Sequence, residues 1–549
     1  MKGDFARVTF DPGNHRTRVL QQQGRVLLEA DWNEQVGIQL HLMHTLIRDL
    51  VGPCWAVGSG FQVTAGPGSL SAWPVKAGHF YVDGILCEND VDCTLAGQPY
   101  APAPLDSAGS WNQPPPGFAL WLDVWERHLS AIEAPSVLDV ALDGVDTASR
   151  AQTIWQIRLL GLDASGLDNI AAALKLRLQA AGNDARASAA INAQLGQVDA
   201  LRRALVAGVA SGSNLCHSIG GILAARATYA WPLMQARLGP LPSESDPCVI
   251  AADARYRGCE NQLYRVEIHQ GGLAGSTGAA SGASGASFKF SRENGAVIFS
   301  VLQTATTSQA DGSALIAVTV ASLGRDQRLG LAVNDWVELV DDDYTLGQLA
   351  GPLLQVTAID IPHGLVTLAA RNGVAAYAIS NSPQKHPLMR RWDQNKEVDA
   401  QGCVPLTEGT PFDLEDGIQV TFSAGGVYAT GDYWLIPARV AGNGSLDWPQ
   451  SSGQPGALRS RGMHHYATLG ISQGAGTYAE CCCRFDSLCA LLQRSTNRLA
   501  SNEAAPLASP AAGAAVAGTP TKARAKASAK VKATAKAKVN AKPNRKKGG

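Results

Sequence analysis

No hydrophobic run in this sequence approaches the roughly 18 apolar residues that a membrane helix needs, so no spanning helix is expected. The opening residues, "MKGDFARVTFDPGNHR", carry no apolar segment of the kind that starts a standard secretory signal, and synthesis in the cytoplasm is the expectation. Cysteine is irregular. Eleven scattered residues, an odd number, predict buried free thiols in a reducing compartment rather than a disulfide framework. Charge is scarce at 17%, against about 25% in ordinary globular chains. Catalytic signatures are missing too: the sequence has no phosphate-binding loop, HExxH helix, nucleophile elbow or dinucleotide fingerprint, which removes the enzyme classes that depend on them.

What is present is turn-forming and apolar. With 57 Gly and 28 Pro among 549 residues, turns are frequent, and short strands between them predict a mainly β chain of about two to four domains. The expected fold is multi-domain, with sandwich or barrel-like modules, an N-terminal helix, an inserted helical hairpin and a disordered C-terminal tail. Residues 1–165 read as a β-rich module holding the helix at 31–51, and 166–209 as the hairpin. Residues 210–270 continue the first module. The run "GGLAGSTGAASGASGAS" (271–287) reads as a linker by composition. A second β-rich module, 288–500, is expected to end in a helix over "RFDSLCALLQRSTNRLA".

The segment "LQQQGRVLLEADWNEQVGIQLHLMHTLIRDLVGP" (Leu20–Pro53) carries the most information. Val8 to Leu28 looks extended, with "QQQG" as a turn. Asp31 then reads as an N-cap and Glu34 as its third-position partner. Trp32, Val36, Leu40, Met43, Ile47 and Leu50 recur every three or four residues, an apolar stripe expected to pack as an anchor. Gly52 and Pro53 end it. In the insert, Leu167, Ile170, Leu174 and Leu178 form one stripe, and Ile191, Leu195, Val198, Leu201 and Leu205 a second. "HFYVD" between Gly78 and Gly84 predicts a hairpin with Phe80 and Val82 on one face.

Candidates for chemistry are few. Cys481, Cys482, Cys483 and Cys489, with His464 and His465, lack the two-residue ligand spacing of a zinc site and read as buried small hydrophobes. Cys87 and Cys93 could face each other across a hairpin, and the compartment favours free thiols. Asp123 with Glu126 offers a carboxylate pair, with Arg127 and His128 as local charge partners. Asp341, Asp342 and Asp343 read as a solvated turn. "MRRWDQ" (Met389 to Gln394) reads as a core edge. No cofactor is expected.

Several of these stretches resemble a family. "MKGDFARVTFDPGNHRTRVLQQQGRVLLEADWNEQ" is similar to the N-terminal signature of a bacterial family of unknown function, encoded beside baseplate genes in contractile, phage-tail-like injection clusters. The resemblance continues through "YVDGILCEN", "LDVWERH", "TASRAQTIWQIRLL", "RGCENQLYRVEIH", "KFSRENGAVIF", "RRWDQ", "LEDGIQVTFS", "GDYWLIPAR" and "HHYA", so it spans about residues 1–490. "QGRVLLEADWNEQV" followed by "HFYVDGILCEN" is also similar, in order and spacing, to the start of phage tail-fibre and baseplate proteins. The departures are the insert, the triple cysteine and the tail. The resemblance implies a non-enzymatic structural component in the baseplate or fibre-adaptor region, released within an extracellular particle. Its partners would be other baseplate or fibre proteins. Trp32, Asn33, Glu34 and Gln35 would begin an assembly surface that continues through Leu40 and Ile47. A surface module that binds glycan or another envelope ligand is the alternative from a second class, and an enzyme acting on polysaccharide is a third.

The tail is a different material. Lys522, Arg524, Lys526, Lys530, Lys532, Lys536, Lys538, Lys542, Arg545, Lys546 and Lys547 fall in a stretch without Asp or Glu, which leaves the rest of the chain with 35 basic against 47 acidic residues. Like charges and Pro520 and Pro543 oppose a helix, so disorder is expected. Without aromatic side chains, any contact with a polyanion would be electrostatic and sequence-blind.

Overall fold

The computed structural model describes residues 1–486 except 6, 67, 102–116, 182–184, 207–211, 229–231, 240–254, 276–284, 309–313, 327, 371–376, 443, 452–453 and 473–477. The tail and the helix expected after Asp486 lie outside the described residues, as does Cys489. Residues Cys483–Phe485, at the start of that expected helix, form a strand instead.

Among the described residues most strands fall into three β assemblies, each around its own apolar core. In the first, a sheet of Tyr478–Glu480, His465–Ser472, Phe118–Leu129 and Arg150–Gly161 faces a second sheet of Cys483–Phe485, Cys54–Val57, Gly78–Val82 and Ile85–Asn89. Side chains alternate across a strand, and here both faces are used. Leu120, Leu122 and Val124 point into the sandwich, while Ala119 and Trp121 point to the opposite face. That second face is covered by helices, so the Phe118–Leu129 strand reads as a nearly continuous apolar run. The expected hairpin is present, with Phe80 and Val82 both buried.

The expected helical hairpin is present as α2 (Ala164–Ala181) and α3 (Ala185–Val206), and among the described residues a further helix, α4 (Gly212–Thr228), joins them; all three follow α1 (Glu29–Val51) in the chain. The α4 segment is rich in Gly, Ser and Ala, and its face, Leu215, Ile219, Ile222 and Leu223, carries a weaker periodic signal. All three bury their stripes against one another and against Ala119, Trp121 and Ile471 of the sheet. Cys216 of α4 and Cys481 are joined by a disulfide across 265 residues, Cα to Cα 5.3 Å. For these two residues this corrects the expectation of free thiols, while the other seven described cysteines are free. The pairing follows from α4 lying on the His465–Ser472 strand, a contact that cysteine spacing does not encode.

The second assembly is a sandwich. A five-stranded sheet centred on Gln262–Gln270, between Ser287–Ser291 and Tyr433–Arg439, packs on a four-stranded sheet containing Leu233–Leu238 and Ile418–Phe422. Pairing between Gln262–Gln270 and Ser287–Ser291 runs across the Gly/Ser/Ala stretch read as a linker. The third assembly is a closed six-stranded barrel: Ile298–Ser308, Ala314–Val320, Leu365–Ala369, Leu354–Asp360, Trp336–Val340 and Leu388–Trp392. Its interior is filled by Val301, Val318, Val337, Val356, Val366, Leu368 and Met389, as expected where few strands leave room only for side chains.

Candidate assembly surface

The N-terminal segment is held at both ends and open between them. At its start, Lys2 enters a buried charge network in which its Nζ lies 2.7 Å from Glu267. Arg265 sits 2.5 Å from the same carboxylate, and Lys289 bridges Glu267 (3.7 Å) and Glu338 (2.7 Å). The Trp392 ring lies under both ammonium groups, and its Nε1–H donates to Glu338. Burial lowers Lys2 to about 8 against the pull of Glu267. Burial works to raise Glu338, and Lys289 and Lys2 outweigh it to hold the carboxyl at about 2. Gly3 follows: its N–H donates to the Asn294 carbonyl and its own carbonyl accepts from the Asn294 side chain. A Cβ at Gly3 would collide with the His128 ring. Charged residues inside strands, as in "YRVEIH" and "FKFSRE", were the sequence signal for this network. Their convergence was not.

From Phe10 onward the chain runs along α1. Phe10 packs in the space left by Gly37 and lies 5.8 Å from the His41 ring. Arg16 pairs with Glu34 at 2.7 Å, and the Val19 N–H donates to the Gln35 side chain. Among the described residues between Val8 and Leu28 there is no strand, contrary to the extended reading; a short 3-10 turn at Pro12–Asn14 and a turn at Gly24 take its place. Among the described residues these strand-like sequences pair with no strand, and without a ladder the pattern does not become a strand.

α1 itself departs from expectation in two ways. The helix begins at Glu29, its N-cap is Leu28, and no side chain caps it. Asp31 therefore contributes charge in the first turn rather than a cap. Glu34 is buried against Arg16 rather than closing a capping box. Burial works to raise its carboxyl, and the Thr9 hydroxyl and Arg16 outweigh this and hold it below its ordinary value.

The second departure concerns the stripe. The face turned to the body carries Ala30, Glu34 and Ile38, with Gly37, His44 and Thr45 half-buried. At the hairpin tip Gly84, with φ +85°, lies against the helix backbone at His44, where any Cβ would collide. The apolar stripe faces solvent. Trp32 is 73% exposed, Leu46 59% and Leu50 75%, and Val36, Leu40, Leu42 and Met43 are also exposed. Only Ile47 of the expected packed stripe is half-buried. Asn33 is exposed and Gln35 half-buried. Just before the helix, Leu20, Val26, Leu27 and Leu28 are exposed as well. These eleven apolar side chains offer roughly 600–1,000 Å², at about 60–120 Å² per aliphatic side chain and more for Trp. The largest apolar patch on a monomer is typically about 300–600 Å², and one side of a standard interface about 800 Å².

The other sequence candidates go elsewhere. Asp123 is buried between Arg158 (3.1 Å) and His464 (2.6 Å), while Glu126 is exposed; three apart on one strand, they point to opposite faces. Arg127 serves neither of them and pairs with Glu133 and Asp342. His465 pairs with Asp83. Asp341 to Asp343 are not a solvated turn: Asp341 is buried and caps a short helix, α5 (Asp342–Leu346), while Asp342 meets Arg127 and His386, and Asp343 meets Lys385. The Leu388–Trp392 strand is buried throughout. Cys87 and Cys93 are free thiols on different strands; Cys482 is half-buried and Cys483 exposed. Among the described residues no group of three His, Cys, Asp or Glu side chains could hold a metal ion. No described helix is long and apolar enough to cross a membrane.

The chain belongs to the family of unknown function DUF6519, whose family model matches residues 1–549. No curated protein matches it. A solved chain titled "Crystal structure of TssK" is similar at 10% identity over 75% of this chain and 99% of that one, with a TM-score of 0.15. A score that low carries no argument.

Proposed function

We propose that this member of DUF6519 is a non-enzymatic structural component of a contractile, phage-tail-like injection particle, placed in the baseplate or fibre-adaptor region. The observation that carries the reading is the inverted helix: α1 turns its apolar stripe to solvent, within a segment whose sequence resembles the docking region of tail-fibre and baseplate proteins. Apolar surface left in water costs about 25 cal/mol per Å², and a neighbour in an assembly would remove that cost. The Cys216–Cys481 disulfide suits a protein made in the cytoplasm and then carried in a particle that meets an oxidising exterior. To the basic tail we assign a sequence-blind contact with a polyanion, on composition alone.

The test is co-sedimentation. In cells that produce the particle, the chain should pellet with sheath and tube proteins. The variant Val26→Glu/Leu27→Glu should melt like wild type yet be lost from the pellet. A chain that stays in the supernatant overturns the reading.

A further inference from the structure

The α1 face carries a heptad register that bears on what occupies it. Trp32, Val36, Gln39, Met43, Leu46 and Leu50 succeed one another at steps of 4, 3, 4, 3 and 4 residues. These are the a and d positions of a coiled-coil seam. The body-facing residues Ala30, Glu34, Gly37 and Ile38 fall at b, c and f, on the opposite side of the helix. The seam is therefore presented whole, over about 27 Å of helix.

We propose that this seam pairs with the same seam on a second copy of the chain, antiparallel, about a two-fold axis near residue 41. In that arrangement residues whose numbers sum to 82 face each other: Trp32 meets Leu50, Val36 meets Leu46, and Gln39 meets Met43. Each is an a position against a d position. One large Trp is set against the far end of the partner, and the single polar seam residue, Gln39, lies beside the axis. A lone polar residue there fixes register.

Charge supports the same choice. The flanking positions hold Asn33, Gln35, Leu40, Leu42, Ile47 and Asp49, so almost nothing repels across the seam. In this arrangement the helix dipoles oppose, and the charges of Asp31 and Arg48, at c and f, lie away from the seam. Parallel pairing would set Trp32 on Trp32 and one acidic turn beside the other. Seven of the eleven exposed apolar side chains, Trp32, Val36, Leu40, Leu42, Met43, Leu46 and Leu50, lie on or beside this seam, and a two-fold contact uses the same patch on both copies. The inference rests on the assembly reading of α1, and it names the partner.

The experiment uses the full chain. Sedimentation velocity over a hundredfold concentration series should show a monomer–dimer equilibrium for wild type. Met43→Glu/Leu46→Glu should stay monomeric throughout, with far-UV circular dichroism and Tm unchanged because both side chains are exposed in the monomer. A mixture of Trp32→Cys and Leu50→Cys chains should form an oxidised mixed dimer that neither variant forms alone. Wild type that remains monomeric, a double Glu variant that still dimerises, or cross-linking of either single variant by itself overturns the proposal. If wild type is monomeric but Met43→Glu/Leu46→Glu is lost from particles, the assembly reading stands and the second copy does not. If the dimer forms and particles incorporate the double variant normally, the assembly reading fails instead.

Discussion

The inserted helices and α1 are both amphipathic, and they differ in where the partner comes from. In α2, α3 and α4 the stripes close on each other and on the outer face of a sheet, burying Leu167, Leu174, Ile191, Val198, Leu201 and Ile219. A disulfide then ties the third helix to that sheet. In α1 the less apolar side, with a buried Glu34, lies on the body, and the stripe is left in water. A 3.6-residue period shows that a helix has an apolar face. It does not show that the partner belongs to the same chain.

The widest separation between the two regions should come from the same substitution made in each. Val198→Glu sets a carboxylate among fully buried aliphatic groups and should cost at least about 3 kcal/mol. Met43→Glu should stay within about 0.5 kcal/mol of wild type. Urea unfolding of the two variants measures both. Equal losses would mean that α1 packs on its own body after all.

A smaller effect is expected at the staple. Cys216→Ser should lower stability by roughly 2–5 kcal/mol, and reduction of the wild type should lower its Tm to match. The dimerisation expected of α1 should not respond to reductant. If it does, the two regions are coupled, and the contrast between them fails.

The smallest effect concerns how α1 is held to the body. Glu34→Gln weakens the pair with Arg16 and should cost roughly 1 kcal/mol locally, seen as faster amide exchange in the first turns of α1 with Tm nearly unchanged. The sign of the pH effect follows from the lowered carboxyl of Glu34. Its stabilising contribution is present above its ordinary value of 4.5 and is lost as pH falls through the lower folded value. Protection of the wild-type segment, taken relative to the intrinsic exchange rate at each pH, should therefore fall on acidification below that point, whereas in Glu34→Gln it should not. Asp31→Ala, at a position that caps nothing, should change exchange less than Glu34→Gln at any pH.

Local pattern in the sequence determined what is local in the fold. The helix expected at 31–51 occupies Glu29–Val51, and the hairpin between Gly78 and Asn89 falls where its glycines and alternation placed it. The abundance of turns and short apolar runs pointed to a mainly β chain with sandwich or barrel-like modules, and both sandwiches and a closed barrel are present. The stripes of the insert lay in one window each and were legible for α2 and α3, while α4, with small residues and a weaker period, was not. Tertiary structure decided the rest. Lys2, Glu267, Lys289 and Glu338 meet from positions far apart in the chain, as do Cys216 and Cys481. The outward turn of the α1 stripe depends on which side Phe10, Arg16 and Gly84 occupy. A sequence window records the period of a helix or strand because neighbouring residues set backbone geometry. Which face is buried is set by long-range contacts, whose partners no single window contains.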